Sequence, residues 1–303
     1  MKNNNVNNNN NNNKNNNNRK KVNNMKKVNN NKKEEKKPLL TEKINLSYTK
    51  GIYSWYCKTV LTLYVIVMNI LNKAGKAIKT AEYVALVNCL WIVNHMSLKL
   101  EGICSISSSV TDNCLCSFKR KIEGCICKYC YAFNQQSYQT GLKEHNILNG
   151  IILRNILIPV SAFKYLRIIF PYIRIESFGD VANVTQARNY IRIIKAFKDK
   201  RCAIWSKNIA IWSAAFKLEG GKPKNTTYVH SSHKINIPDV IDLIKYPFVD
   251  HIFTVFTKAY AKKHNIIINC GGRKCLECIR KRINCYFSVN KKNNTFYINE
   301  LKK

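Results

Sequence analysis

The chain has 303 residues, 46% of them hydrophobic, and carries 51 Lys and Arg against 17 Asp and Glu, a formal net charge of +34. That length and apolar content support one large domain, or two small ones plus a tail, and exclude a chain too polar to build a core. Residues 96–303 alone hold 34 basic and 13 acidic residues, so the predicted folded part is itself basic; such an excess suits nucleic acid as a partner, and an A/T-biased coding sequence rich in Lys, Asn and Ile produces the same excess with none.

Residues 1–38 are Asn and Lys with almost nothing apolar, which cannot offset the entropy lost on ordering, so a disordered tail is expected. The tail has neither the apolar core of a signal peptide nor the Arg- and Ser-rich pattern of a transit peptide. An intracellular location follows as the expectation, cytoplasmic or, through the basic cluster Arg19, Lys20 and Lys21, nuclear. Residues 39–97 read as a helical leader of unassigned role, with apolar stretches at Thr59–Leu71 and Tyr83–Val93. Both are shorter than the roughly 20 residues a bilayer helix needs, so a packed helix pair is the favoured expectation, with a membrane hairpin as the alternative.

Residues 98–303 read as an α/β domain with cysteine-rich, metal-binding segments at both ends. Strands are predicted at Ile103–Ser107, Tyr172–Phe178, Arg201–Trp205, Thr226–His230 and His251–Phe256, with a further extended run at Asn265–Asn269. Between them lie helical patterns at Thr185–Phe197, Ala210–Phe216 and Asp239–Lys245. Strand alternating with helix predicts a parallel sheet, open or a partial (β/α) barrel, flanked by helices. In such sheets the chemistry collects beyond the carboxyl ends of the strands. Those ends carry Glu176, Ser177 and Asp180, then Ser206 and Lys207, then Ser231 and Ser232, then Thr257 and Lys258. Glu176, Asp180 and Lys207 are the catalytic candidates and Ser206 and Ser231 the cofactor-binding ones; ordinary turn and N-cap chemistry uses the same residue types.

Thirteen cysteines stand out in a chain expected in a reducing compartment, where close spacing points to metal or redox chemistry over disulfides. Cys116, Cys127 and Cys130 form one group, and Cys270, Cys275, Cys278 and Cys285 a second. Zinc and [4Fe-4S] clusters both take four ligands as a rule, so three thiolates leave an iron with an open position, whereas four make a closed, structural site. Arg273, Lys274, Arg280, Lys281 and Arg282 surround the second group and are expected to offset its thiolate charge. Cys104, Cys114 and Cys125 crowd the first group without a clear place in it; Cys57, Cys89 and Cys202 fall in apolar runs, where burial is expected.

Several chemistries lack their motifs: there is no GxxxxGK[ST] phosphate loop, GxSxG elbow or HExxH pair. His230 and His233 flank Ser231 and Ser232 and read as ligands or as solvated, capping side chains; Trp205 and Trp212 read as packing helix on sheet.

A resemblance becomes specific at Asn113 to Cys116, at Ile126 to Ala132 with its Cys127-Lys-Tyr-Cys130 turn, at Arg174 to Asp180, at Ile204 to Asn208 and at Ile268 to Cys275. Their joint order resembles the phage and prophage gene product 88 family over Leu98 to Leu301. The CysxxCysTyrAla turn, followed by a strand ending in Asp and another ending in Thr-Lys, is also similar to radical S-adenosylmethionine phage proteins. The radical enzymes space their cluster cysteines C-x3-C-x2-C, whereas Cys116, Cys127 and Cys130 give C-x10-C-x2-C. What these resemblances imply is an enzyme whose [4Fe-4S] cluster faces Glu176, Asp180, Ser206 and Lys207, with S-adenosylmethionine as cofactor. The alternative is a non-catalytic module in which zinc holds all the cysteines and the basic surface binds nucleic acid.

Overall fold

The computed structural model describes residues 59–71, 74, 79–271, 274–280, 285–286 and 296–302. The described residues all belong to one compact unit, Ile52–Lys303; the predicted tail 1–38 and Cys57 lie outside them. Helix α1 covers 59–71 and α2 covers Thr80–Asn88. No described helix is long and apolar enough to cross a membrane.

Seven strands form one sheet in chain order: β1 (Val93–Asn94), β2 (Ile103–Ile106), β3 (Tyr172–Ile175), β4 (Arg201–Ser206), β5 (Thr226–Ser231), β6 (His251–Phe256) and β7 (Tyr297–Leu301). β1 pairs antiparallel with β2, and every later pair is parallel. The expected α/β class is therefore observed. β2 and β5 are buried at every position, as parallel strands covered on both faces must be, and the polar Ser105, Thr226, Thr227, His230 and Ser231 are buried with the rest.

Helices α3 (Cys114–Lys121), α4 (Tyr131–Tyr138), α5 (Thr140–Asn155) and α6 (Val160–Phe163) lie between β2 and β3, with a 3-10 turn at Ile126–Tyr129. α7 (Val184–Ala196), α8 (Ile209–Leu218), α9 (Lys258–Lys263) and α10 (Cys275–Arg280) follow. When parallel strands advance in one direction, right-handed crossovers put their helices on the same face, and here α10, in the β6–β7 connection, is the exception. One face accordingly packs Cys104, Ile106, Ile173, Ile175, Cys202, Ile204 and Tyr228 against α5 to α8, and Val65, Met68, Leu86 and Val87 of α1 and α2 join that core. The opposite face, Ile103, Ala203, Val229, Phe253 and Ile298, packs instead on Ile279, Cys285 and Tyr286 of the C-terminal segment. Trp212 is fully buried among Tyr190, Phe216 and Tyr228, and truncating such a residue costs about 3–5 kcal/mol.

Three local expectations are corrected. Residues 239–245 are not a helix: the Asp239 carboxylate is bound by His230 and His233, and the Asp242 carboxylate caps the amides of Ile244 and Lys245 into a single turn. Pro247 lacks the amide needed to continue it. Residues 265–269 are not a strand, and only Cys270 makes an isolated bridge, to Glu300. Cys89 ends α2 and is exposed, where burial was expected.

Candidate functional site at the carboxyl edge of the sheet

β2 to β7 run in one direction, so their carboxyl ends form one edge. The loop after β2 carries the first cysteine group back to it. Asn113 makes this possible: its Oδ1 accepts from the amides of Leu115 and Cys116 at 3.0 and 3.3 Å, capping α3, while its Nδ2 donates to the Asp180 carbonyl at 2.6 Å. The Asn113 side chain thus ties the helix that bears Cys116 to the end of β3. The turn that bears Cys127 is tied to the end of β5, where the Ile126 amide donates to the His233 carbonyl at 2.8 Å. Tyr131, next to Cys130, donates its hydroxyl to the Ser177 carbonyl. Three separate hydrogen bonds therefore bring Cys116, Cys127 and Cys130 to the same edge.

The predicted rim residues meet there, in roles that differ from one another. Asp180 accepts from Ser206 Oγ, from the Lys207 amide at 2.9 Å and from the Val181 amide at 2.9 Å. It clamps the end of β3 to the end of β4. Lys207 Nζ donates to Ser231 Oγ at 2.9 Å, placing a cation and a hydroxyl side by side. Glu176 is 3% exposed and turns inward. Its Oε1 accepts from Ser108 Oγ, Gln186 Nε2 and Tyr190 OH at 2.7, 2.9 and 2.6 Å, and its Oε2 from the Ser108 amide at 3.1 Å. Its backbone φ of 55° is left-handed, a strained choice for a residue with a side chain, of the kind that gathers at functional sites. Gly179 is required beside it, since a Cβ there would stand 2.5 Å from both Glu176 Oε2 and the Ser108 carbonyl oxygen.

Burial dominates the electrostatics. Desolvation pushes the Glu176 carboxyl up to about 7, and the donors from Tyr190 and Ser108 pull against it. Desolvation also pushes the Cys116 thiol far up, reinforced by Asp180, Glu176, Cys127 and Cys130, and the Cys127 thiol up to about 11, with Lys207 opposing. Cys116 thus sits in the field of the two rim carboxyls, and Cys127 in that of Lys207.

Comparisons of the chain with protein-family models, with curated proteins and with solved structures find no match. The site must be read from its own residues.

The twelve described cysteines are free thiols. Among the described residues, the one group that brings three potential ligand atoms within 4.8 Å of one another is His230, His233 and Asp239; the cysteines are not drawn together so tightly. Tetrahedral zinc with Zn–S near 2.3 Å would set its sulfurs about 3.8 Å apart. The thiolates of a [4Fe-4S] cube bind different irons and stand farther apart.

The second group behaves differently. Cys270, Cys275 and Cys285 pack into the core of the opposite sheet face, and Cys278 lies on α10. Burial pushes Cys285 up to about 12 and Cys270 up to about 11; Arg174 opposes it at both, and Lys99 opposes it at Cys270. Of the expected flanking cations, Lys274 instead pairs with Glu101 at 2.6 Å, and Arg273, Lys281 and Arg282 lie outside the described residues. The cations whose charge acts on Cys270 and Cys275 are Arg174 from β3, stacked 3.9 Å over Trp205, and Lys99, paired with Glu300 at 2.8 Å.

Cys104 and Cys202 are core residues. Cys104 donates to Asn94 Oδ1 and accepts from the Phe170 amide, a packing role that matches its poor fit to the ligand spacing. Sequence reasoning missed Asn113 as the tether, Asp239 as the partner of both histidines, and Arg174 and Lys99. A charge in the middle of a buried strand was the available signal for Arg174.

Proposed function

We propose that the carboxyl edge is the active site of a gene product 88-like enzyme related to the radical S-adenosylmethionine proteins, with an iron–sulfur cluster on Cys116, Cys127 and Cys130. The observation that carries this reading is the convergence of three partly exposed thiols from the loop after β2 with the Asp180, Ser206, Lys207 and Ser231 rim, at one end of a parallel sheet whose strands run in chain order. When bound, a cluster held by three thiolates supplies redox chemistry and one iron with an open position for a cofactor's donor atoms. The chain's own residues bind and orient. Lys207 offers its ammonium to an anionic group of cofactor or substrate, with Ser231 fixing that ammonium in place. Asp180 spends its carboxylate mainly on Ser206 and the Lys207 amide, holding the rim in register. Glu176 locks the β2 loop to α7 from within. The second cysteine group serves as a structural zinc or cluster site under the opposite face, its charge offset by Arg174 and Lys99. A reducing, intracellular compartment belongs to this reading, since it keeps such thiols unpaired.

A second reading is favoured by the surface beside the first group, where Phe118 and Tyr129 are 64% and 54% exposed next to exposed Lys121 and Lys128. Aromatic rings among lysines suit stacked bases and phosphates, as in a zinc-held nucleic-acid module. Anaerobic purification with iron, sulfide and zinc analysis separates the two. The enzyme reading expects a brown protein whose visible absorbance is lost in Cys127→Ser with the fold retained. Stoichiometric zinc without iron or sulfide, together with RNA or DNA binding that weakens steeply with salt, overturns it.

A further inference from the structure

We propose that His230, His233 and Asp239 form a binding site for a single divalent transition-metal ion, separate from both cysteine groups. Two imidazoles and a carboxylate are the donor set that suits Zn2+, Fe2+ or Co2+, whereas hard ions such as Mg2+ and Ca2+ favour all-oxygen shells. Both rings aim at the same oxygen: His230 Nε2 lies 2.8 Å and His233 Nδ1 2.6 Å from Asp239 Oδ2, and the three ligand atoms are within 4.8 Å of one another.

The backbone holds this arrangement in place. His230 is in β5, and His233 follows the strand end. The chain then returns Asp239 to the pair, with the Asp239 amide donating to Ser232 Oγ at 3.0 Å and the His233 amide donating to the Asp239 carboxylate at 3.2–3.3 Å. Between them the Asn236 amide donates to the Val255 carbonyl at 2.9 Å, and Asn236 Oδ1 accepts from the Thr257 amide at 2.7 Å. The loop is therefore pinned to the end of β6 on its way back.

The site also has an entry. His230 is buried, but the side chains of Asp239 and His233 are 21% and 39% exposed. In tetrahedral coordination with bonds near 2.0–2.1 Å, ligand atoms stand about 3.4 Å apart. Binding thus needs each imidazole to retreat by well under an ångström, which the half-exposed His233 ring makes easily. For a facing nitrogen to bind the ion, its ring must carry its proton on the far nitrogen. For His230 that far nitrogen, Nδ1, is buried and has no hydrogen-bond partner among the described residues. Metal-bound histidines ordinarily have such a partner, and its loss costs about 10–100-fold in affinity, which places this site among the weaker and exchangeable ones. Three protein ligands leave at least one coordination position for water or an oxygen donor. The ion would also stiffen the turn of Cys127, which hangs on the His233 carbonyl.

The test is anaerobic Co2+ titration of the full-length protein, with His233→Ala and Asp239→Asn as variants. The expected result is one equivalent of Co2+ with visible d–d bands and no thiolate charge-transfer absorption. That equivalent is to weaken by at least about 100-fold in both variants, with thiolate-bound equivalents unchanged. The proposal is overturned if every bound Co2+ carries thiolate charge transfer, or if either folded variant retains the nitrogen- and oxygen-ligated equivalent. Should a variant unfold, 113Cd NMR of the wild-type protein decides: a resonance in the nitrogen/oxygen-ligand range supports the site, and resonances confined to the thiolate range refute it.

Discussion

Glu176 makes folding stability depend on pH in a direction opposite to that of an ordinary paired carboxylate. Burial pushes its carboxyl up to about 7 from its ordinary value of 4.5, so between those values the folded protein holds a proton that the unfolded chain has released. For a raised carboxyl the stabilising contribution is complete below the unfolded value, declines as pH rises and is gone above the folded value. A difference of about 2.5 units corresponds to about 3.4 kcal/mol in all, of which about 2.5 kcal/mol falls between pH 5 and pH 8. Glu176 is fully buried, so no allowance for solvent screening applies. Glu176→Gln removes the ionisation and leaves a side chain of the same shape. Urea unfolding of both proteins across pH 5–8 gives the difference directly, with other titrating groups cancelling. The expected outcome is that the variant gains about 2.5 kcal/mol on the wild type over that interval. Four donors converge on the Glu176 carboxylate from Ser108, Gln186 and Tyr190, and if they rather than desolvation set its charge state, the difference stays flat with pH and the reasoning fails.

Gly179→Ala drives a methyl group to 2.5 Å from a backbone carbonyl that cannot move and from the Glu176 carboxylate; a loss of about 1–3 kcal/mol from overpacking is expected in urea unfolding. Combining it with Glu176→Gln in a double-mutant cycle should show coupling above about 0.5 kcal/mol, because the two sites are in contact. Asn113→Ala removes the cap of α3 and the tether to Asp180 together, so a stability loss of about 1–2 kcal/mol is expected. Iron content should fall with it if Cys116 is a cluster ligand. A variant with wild-type stability would show that the cap does not hold that turn.

How far the sequence carries the fold can be judged element by element. β2 to β6 were legible because each is a short run rich in β-branched and aromatic residues, and because Ser, Asp, Glu or Thr follows closely at its end. β7, Tyr297–Leu301, was not: it is the last strand of the sheet, paired to β6 on one side and met on the other by Asn269 and Cys270, and its Asn299 and Glu300 bond to that segment and to Lys99. The Asp239–Lys245 error has the same origin in long-range contact. Val240, Leu243 and Ile244 carry helical spacing, yet Val240 is 99% and Ile244 96% exposed, since the preceding carboxylate is claimed by two histidines from the end of β5.

The cysteine groups divide in a similar way. Spacing picked out the ligand candidates, but it could not separate an edge site from a core site. The sheet makes that distinction through its alternation: Ile173 and Ile175 point into the helix-covered core, and Arg174 between them points to the opposite face, where Cys270, Cys275 and Cys285 pack. Arg174 is half-buried, stacked on Trp205, and its Nε is buried with no hydrogen-bond partner among the described residues, a placement that favours negative charge nearby. Thiolates fixed on a metal supply that charge, while protonated thiols do not. Arg174 on that face thus gives the metal site proposed at the second group a cation to balance its thiolates.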